Sequence, residues 1–145
     1  MAATAKSQKF GTRANVKSYE VTATGPADVA WVDMSNFETF FASVVKTVGT
    51  NVISNFSIIA NAQSDGSGTD VTVIDGTVDI VNVNAVGENG HVECTADMVK
   101  EAGVAAGEDV RYVSINLTQT ATEECVVTYI LADPKFGYSD LTANL

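Results

Sequence analysis

Short runs of β-forming residues, separated by turn signals every ~8–12 residues, recur along this chain and constrain its fold more than any other feature. The clearest run is residues 110–118, where Val113, Ile115 and Leu117 alternate with polar neighbours in the two-residue period of a strand with one buried face. Further runs lie at residues 19–23, 37–47, 52–60, 71–74, 77–84, 91–95 and 125–131. Together they predict a mainly β protein of about eight strands, folded as an antiparallel β-sandwich or small barrel.

One segment, residues 95–102, has the signals of a short helix. Thr95 is a suitable N-cap, Asp97 and Lys100 suit the dipole at the first and last turns, and Gly103 is suited to the C′ position. Residues 37–47 are also long enough for a helix, but their Phe, Val and Thr content favours a strand. We therefore expect one helix of about two turns on a β fold.

The chain divides into an arm and a body. Its 145 residues fit a single domain. Residues 1–15 are small and polar and follow neither the strand nor the helix period, which predicts a flexible or extended basic N-terminal arm. Residues 16–145 are predicted to form a single β-sandwich domain.

Charge is unevenly distributed between these two parts. The net charge is −10, yet residues 1–19 hold Lys6, Lys9, Arg13 and Lys17 and no acid. The remaining 126 residues hold 18 acids and 4 bases, a net charge of −14. Because phosphates would be repelled by that body, nucleic acid is not expected as the main partner. A basic arm suits an acidic protein surface, or it adds a strand to a neighbour's sheet edge.

Neither a membrane nor the general secretion route is indicated. No apolar run approaches the ~20 residues that span a bilayer, and the basic N-terminal residues have no apolar stretch behind them. The two cysteines, Cys94 and Cys125, lie in strand-like apolar surroundings and are expected to stay reduced in a cytosol. A disulfide between them would require adjacent strands and an oxidising compartment.

No catalytic constellation is visible, so an enzyme is not expected. His91 is the only histidine, and no nucleophile-elbow, zinc-protease, P-loop or C-x-x-C motif is present. The acidic pairs at 108–109 and 123–124 point to opposite faces when they lie on a strand, so neither forms a catalytic dyad by itself. We expect His91 to be a surface or hairpin residue, and we expect no cofactor.

Two other groups of residues are candidates for binding sites. Asp65, Asp70 and Asp75 could offer oxygen ligands to calcium, but the EF-hand spacing is absent and a turn explains them better, so no metal is predicted. Six aromatic residues could form a carbohydrate platform, although their spacing is more typical of a core. These residues are Trp31, Phe37, Phe40, Phe41, Phe56 and Tyr112.

The order of segments resembles that of small structural proteins of tailed bacteriophages, in particular head decoration (cement) proteins. The resemblance covers roughly residues 30–137. It rests on NFETFFA at 36–42 leading into the run at 52–60, then QSDGS at 63–67, ECTAD at 93–97, VRYVSI at 110–115 and VTYILADPKFG at 127–137. It is a likeness of pattern, and the arm lies outside it.

The resemblance implies a non-enzymatic protein on the outer surface of an icosahedral head, made in the bacterial cytoplasm. Its partner would be the major capsid protein, and such proteins commonly form trimers that clamp neighbouring capsomers. In this interpretation the arm supplies the capsid contacts, namely Lys6, Lys9, Phe10, Arg13 and Lys17. Two alternatives stay open: another virion component, such as a tail or connector part, and a carbohydrate- or cell-surface-binding β-module.

Overall fold

Nine strands and one helix occupy residues 14–22, 25–76 and 83–135, the parts of the chain that this computed structural model describes. The strands are β1 (Ala14–Val21), β2 (Gly25–Asp28), β3 (Val32–Asp33), β4 (Phe37–Val48), β5 (Ser54–Asn61), β6 (Val71–Ile74), β7 (Asn89–Thr95), β8 (Tyr112–Gln119) and β9 (Glu124–Pro134). The helix, α1 (Ala96–Ala106), follows β7 directly.

The strands form two antiparallel sheets, which confirms the predicted β-sandwich. The four-stranded sheet has the order β1-β9-β4-β7. The five-stranded sheet has the order β2-β8-β5-β6, and β3 also pairs with β8. Only β2 to β3 and β5 to β6 follow each other within one sheet, so the chain otherwise crosses between sheets at each step. Both sheets therefore depend on pairings between residues far apart in sequence.

The core lies between the inner faces of the two sheets. Every second residue of the central strands points into this core. Phe40, Ala42 and Val44 of β4 are fully buried, as are Val127, Tyr129 and Leu131 of β9. The five-stranded sheet contributes Val113, Ile115 and Leu117 of β8, which the sequence predicted, and all three are fully buried. Phe56, Ile58 and Ala60 of β5 are fully buried beside them.

Helix α1 contacts β6 of one sheet and β4 and β7 of the other, so it closes the gap between the sheets. Thr95 is the N-cap, as predicted, and its hydroxyl accepts the Met98 N–H. The predicted C-terminus was wrong, because the helix runs to Ala106 and Gly107 is the left-handed cap. Gly103 is instead buried inside the helix. A Cβ there would lie 2.7 Å from the Glu108 carbonyl oxygen, so this glycine allows close packing.

Three further predictions concerned the start of the first strand, the exposure of Ser114 and a strand at residues 77–84. The first strand begins at Ala14, so the last two residues of the predicted arm lie in β1. Ser114 was expected to face solvent, but it is fully buried, with its Oγ 3.5 Å from the Tyr129 hydroxyl that crosses the core. The predicted strand at 77–84 lies outside the described residues except at its end, where Val83 pairs with Ile53.

Three loops, residues 49–53, 83–88 and 120–123, meet around the buried Lys46, and we call them the loop cluster. The Lys46 ammonium donates to the carbonyl oxygens of Asn51 and Asn84. The Asn51 N–H in turn donates to Glu123 Oε1 at 2.9 Å. Because Lys46 and Glu123 are both buried, every polar contact here replaces one that water made in the unfolded chain.

The loop cluster makes stability depend on pH. The pKa of Glu123 is lowered to about 2, first by the Thr120 hydroxyl and also by the Asn51 N–H and the charge of Lys46. Its value in the unfolded chain is close to 4.5. Since the folded pKa is the lower one, this contribution is complete above pH 4.5 and is lost as the pH falls towards about 2.

We therefore expect Glu123→Gln to be less stable than the wild type at pH 7 and to lose less stability on acidification. Urea unfolding at pH 7, 4, 3 and 2.5 measures this difference. An equal loss of stability in both proteins over that range would show that Glu123 does not titrate as the structure requires.

Candidate functional site

The outer face of the four-stranded sheet is the candidate functional surface. The strand registers align its outward residues into four rows that cross β1, β9, β4 and β7 in turn. The rows are Ala14–Ala132–Thr39–Thr95, Val16–Ile130–Phe41–Glu93, Ser18–Thr128–Ser43–His91 and Glu20–Val126–Val45–Asn89. We call these sixteen residues the outer face.

The middle of the outer face carries no charge. Its two central strands present only Ala, Ile, Thr, Val, Phe and Ser, and the two carboxylates, Glu20 and Glu93, lie on the edge strands. In a chain with a net charge of −10, this arrangement concentrates the acids elsewhere. The solvent face of an antiparallel sheet is ordinarily polar. An exposed apolar patch of this kind is typical of a protein interface.

Within the described residues, no strand or helix packs over the outer face. Val16 keeps 50% of its surface exposed and Val45 keeps 36%, while Phe41, Val126 and Ile130 are half-buried by their neighbours in the sheet. Cross-strand contacts also connect the outward side chains of this face, for example the 2.8 Å hydrogen bond between the Ser18 and Thr128 hydroxyls.

Of the predicted capsid contacts, Lys17 is the one that the structure describes. It is exposed on edge strand β1, and its Nζ lies 5.4 Å from the centroid of the Tyr19 ring. The strand register places it on the opposite side of β1 from Val16 and Ser18. It therefore borders the outer face without lying on it. Lys6, Lys9, Phe10 and Arg13 lie outside the described residues.

His91 is a surface residue, as predicted. It is exposed on edge strand β7, and its ring stacks on that of Phe41 with centroids 5.6 Å apart. The neighbouring outward residues are Ser43 and Glu93, and no nucleophile–histidine hydrogen bond is formed among the described residues. The His91 ring therefore extends the surface that the Phe41 ring presents.

The aspartates of the 65–75 segment serve local structure. Asp65 accepts the Ser67 N–H at 3.0 Å, which lowers its pKa together with the Ser67 side chain. Asp70 accepts from the Asn61 amide at 2.8 Å. Within residues 14–22, 25–76 and 83–135, no group of three or more His, Cys, Asp or Glu side chains is arranged to hold a metal ion.

The aromatic residues are divided between core and surface. Phe37, Phe40 and Phe56 are fully buried, which fits the core interpretation of these three. Trp31 is half-buried against the backbone of Gly66, where a Cβ would lie 2.3 Å from the indole nitrogen. Gly66 also has a φ of +72°, a backbone conformation that favours glycine. Both this conformation and the close contact with Trp31 therefore explain why residue 66 is a glycine. The Trp31 ring is therefore partly covered by its own chain.

The cysteines are free and buried, as expected for reduced thiols. Strand β4 separates Cys94 on β7 from Cys125 on β9, so the pair does not occupy adjacent strands. Burial raises the pKa of Cys94 to about 12 and that of Cys125 to about 11. In the part of the chain that the structure describes, no helix is long and apolar enough to cross a membrane.

Sequence reasoning missed the outer face, although a signal for it was present. A strand with one solvated face should alternate apolar and polar residues. Strands β4 and β9 instead contain adjacent apolar residues, so both of their faces are apolar. These pairs are Phe40-Phe41, Val44-Val45, Val126-Val127 and Ile130-Leu131.

No family model matches the chain, and no curated protein matches it. Structurally similar solved chains include one from Bacillus endospore appendages, a family of disulfide-linked pili, with 13% identity, a TM-score of 0.39 and coverage of 82% of this chain and 86% of that one. The SPBc2 prophage-derived protein YomS has 9% identity, a TM-score of 0.38 and coverage of 82% and 95%. A carbohydrate-binding module of the endoglucanase Cel5A from Eubacterium cellulosolvens has 14% identity, a TM-score of 0.39 and coverage of 81% and 95%. At these TM-scores the likenesses carry no argument about function.

Proposed function

We propose that this chain is a non-enzymatic structural protein of a bacteriophage virion, and specifically a head decoration protein that docks through the outer face. The observation that carries the proposal is the middle of the outer face, where β4 and β9 present no charge and expose apolar side chains that no strand or helix of the described residues covers. A protein that is otherwise strongly acidic can approach another acidic protein only through such a region, because like charges in contact oppose binding.

The size of the outer face indicates how binding would work. Four strands of seven residues span about 19 Å by about 24 Å, or roughly 450 Å². A standard protein–protein interface buries about 800 Å² on each partner, so the outer face alone would bind weakly. Many identical sites on one shell compensate for weak single contacts when subunits are linked, as in the trimer that the sequence resemblance implies.

The basic arm supplies a second contact in this proposal. Strand β1 borders the outer face, so the residues that precede Ala14 are connected to the chain beside the docking surface. Of the five capsid contacts assigned to the arm, Lys6, Lys9, Arg13 and Lys17 would add charge attraction to an acidic shell, and Phe10 would add an apolar contact. The charge attraction of the arm is screened by salt, whereas the apolar contact of the outer face is not.

Charge reversal on the outer face tests the proposal. We expect Val16→Glu combined with Val45→Glu to weaken binding to DNA-free heads of the encoding phage by about 100-fold or more, because two unpaired carboxylates would be buried against the shell. Co-sedimentation with heads measures the bound fraction. Both valines are exposed, so the variant should fold like the wild type.

Val104→Glu combined with Ala105→Glu is the control matched in charge, because both residues are exposed on α1, away from the outer face, and Val104 keeps 73% of its surface exposed. It should bind heads like the wild type. Equal binding by the outer-face variant would contradict the proposed docking surface, and no binding by any of the three proteins would contradict the head decoration role.

A further inference from the structure

A second site lies where the start of α1 meets the segment before β8 and the turn after β3. It is a cleft of about 330 Å³. Its floor is apolar, because Met34, Val99 and Val110 are buried beneath it. The rim carries both signs of charge, with Lys100, Arg111, Lys135, Asp97 and Asp109. Small-ligand pockets occupy about 300–1,000 Å³, so this cleft has room for a group the size of a short peptide segment.

The basic residues of the acidic body are concentrated at this cleft. Residues 20–145 contain four bases, and one of them, Lys46, is buried in the loop cluster. The other three all line the cleft. These three cations outnumber the two carboxylates, Asp97 and Asp109, that line the same cleft, so a negatively charged group would be attracted here in spite of the 18 acids of the body.

Arg111 is held in place for binding. Its Nη2 donates to Asp33 Oδ2 at 2.9 Å and to the Tyr112 hydroxyl at 2.8 Å. The other Asp33 oxygen accepts the Ser35 N–H at 2.8 Å, which fixes that carboxylate. A guanidinium has five N–H donors, so those outside Nη2 remain available. Proximity to Asp33 also raises the pKa of Arg111, which keeps it charged.

The other two cations are less engaged. Lys135 lies 3.9 Å from Glu38, at the limit of an ion pair. Lys100 is exposed on α1 and forms no ion pair within the described residues. Both ammonium groups can therefore turn towards a ligand at little cost.

We propose that this cleft binds a carboxylate carried beside an apolar side chain in a short peptide segment of a partner protein. The apolar floor would take the side chain, and Arg111 with Lys100 and Lys135 would bind the carboxylate. Asp97 and Asp109 on the rim oppose a polyanion such as nucleic acid, whose further phosphates would be repelled. The carboxylate is either a chain terminus or an Asp or Glu side chain. The inference is independent of the proposed head decoration role.

Three peptides test the proposal: acetyl-Leu-Leu with a free C-terminus, acetyl-Leu-Asp-Leu-amide and acetyl-Leu-Leu-amide. Titrations followed by ¹H–¹⁵N NMR should shift the amides of Ser35, Val99 and Arg111 with one or both charged peptides, and much less with the neutral one. The tighter of the two charged peptides identifies the source of the carboxylate. Equal shifts with all three, or shifts with none, would overturn the proposal.

Two variants connect the shifts to the rim cations. Lys100→Gln and Lys135→Gln should each weaken the charged peptides by about two- to fivefold, as expected for partly exposed ion pairs. Val86→Glu is the control, because it lowers the net charge by the same amount as each lysine substitution. Val86 lies in the loop cluster and is 59% exposed, so this variant should leave the affinity for the charged peptides unchanged. Unchanged affinity in both lysine variants, or an equal loss in Val86→Glu, would contradict specific binding at the cleft.

Discussion

Tyr129→Ala is expected to lower the free energy of unfolding by about 3–5 kcal/mol, the cost of removing a buried aromatic side chain. Tyr129 is fully buried on β9, where its ring packs against Phe40 and Tyr19 at centroid distances of 4.9 and 5.1 Å. Because whole domains are stable by only about 5–15 kcal/mol, this one substitution would remove a large fraction of the free energy of unfolding.

The hydroxyl of Tyr129 has a separate role, because it joins the two sheets. It accepts the Ile115 N–H at 2.9 Å, at the point where β8 passes from pairing with β3 to pairing with β2. Burial raises the pKa of this hydroxyl to about 12. Tyr129→Phe leaves that N–H without its acceptor, and we expect a loss of about 1–3 kcal/mol.

Urea unfolding at pH 7 measures both variants. Tyr19→Phe is the control for loss of a hydroxyl, since Tyr19 is half-buried at the sheet edge and should change stability by less than about 0.5 kcal/mol. If Tyr129→Phe were as stable as the wild type, the hydroxyl would not be the link between the sheets.

Lys46→Met is expected to lower the free energy of unfolding by about 2–5 kcal/mol. The methionine keeps the apolar stem of the side chain but leaves the carbonyl oxygens of Asn51 and Asn84 without a donor. It also removes the positive charge that helps to stabilise the Glu123 carboxylate. Two loops would lose their shared hydrogen-bond donor, and the third would lose the positive charge beside Glu123.

Chemical unfolding and amide hydrogen exchange together test this expectation. The exchange should increase in residues 49–53 and 83–88 more than in the strands of the core. Lys100→Met is the matched control, because Lys100 is exposed on α1 and its loss should cost less than about 0.5 kcal/mol. Equal effects of the two substitutions would contradict the structural role of Lys46.

The sequence was sufficient for the fold class because strand alternation is local. Val113, Ile115 and Leu117 could be assigned to a buried face from their own neighbours, and the structure buries all three. The N-cap at Thr95 could be predicted for the same reason. The helix end was misplaced because Gly103 and Gly107 both suit a C-terminus, and packing against Val110 decides between them.

The candidate sites depend on registers and crossings that no local pattern contains. The outer face exists because β9 lies between β1 and β4, which brings Val16, Ile130 and Phe41 into one row. The cleft gathers Lys100, Arg111 and Lys135 from three separate segments. The buried Lys46 was also unforeseeable, since an isolated lysine in a strand is ordinarily exposed.

We propose that the protein decorates phage heads through the outer face. A cryo-electron microscopy reconstruction of heads of the encoding phage, with and without added protein, tests it most directly. We expect added density on the outside of the shell, with the four-stranded sheet turned inwards and Val16, Val45 and Ile130 against the capsid. Heads without added density, or bound protein with that sheet facing solvent, would contradict it.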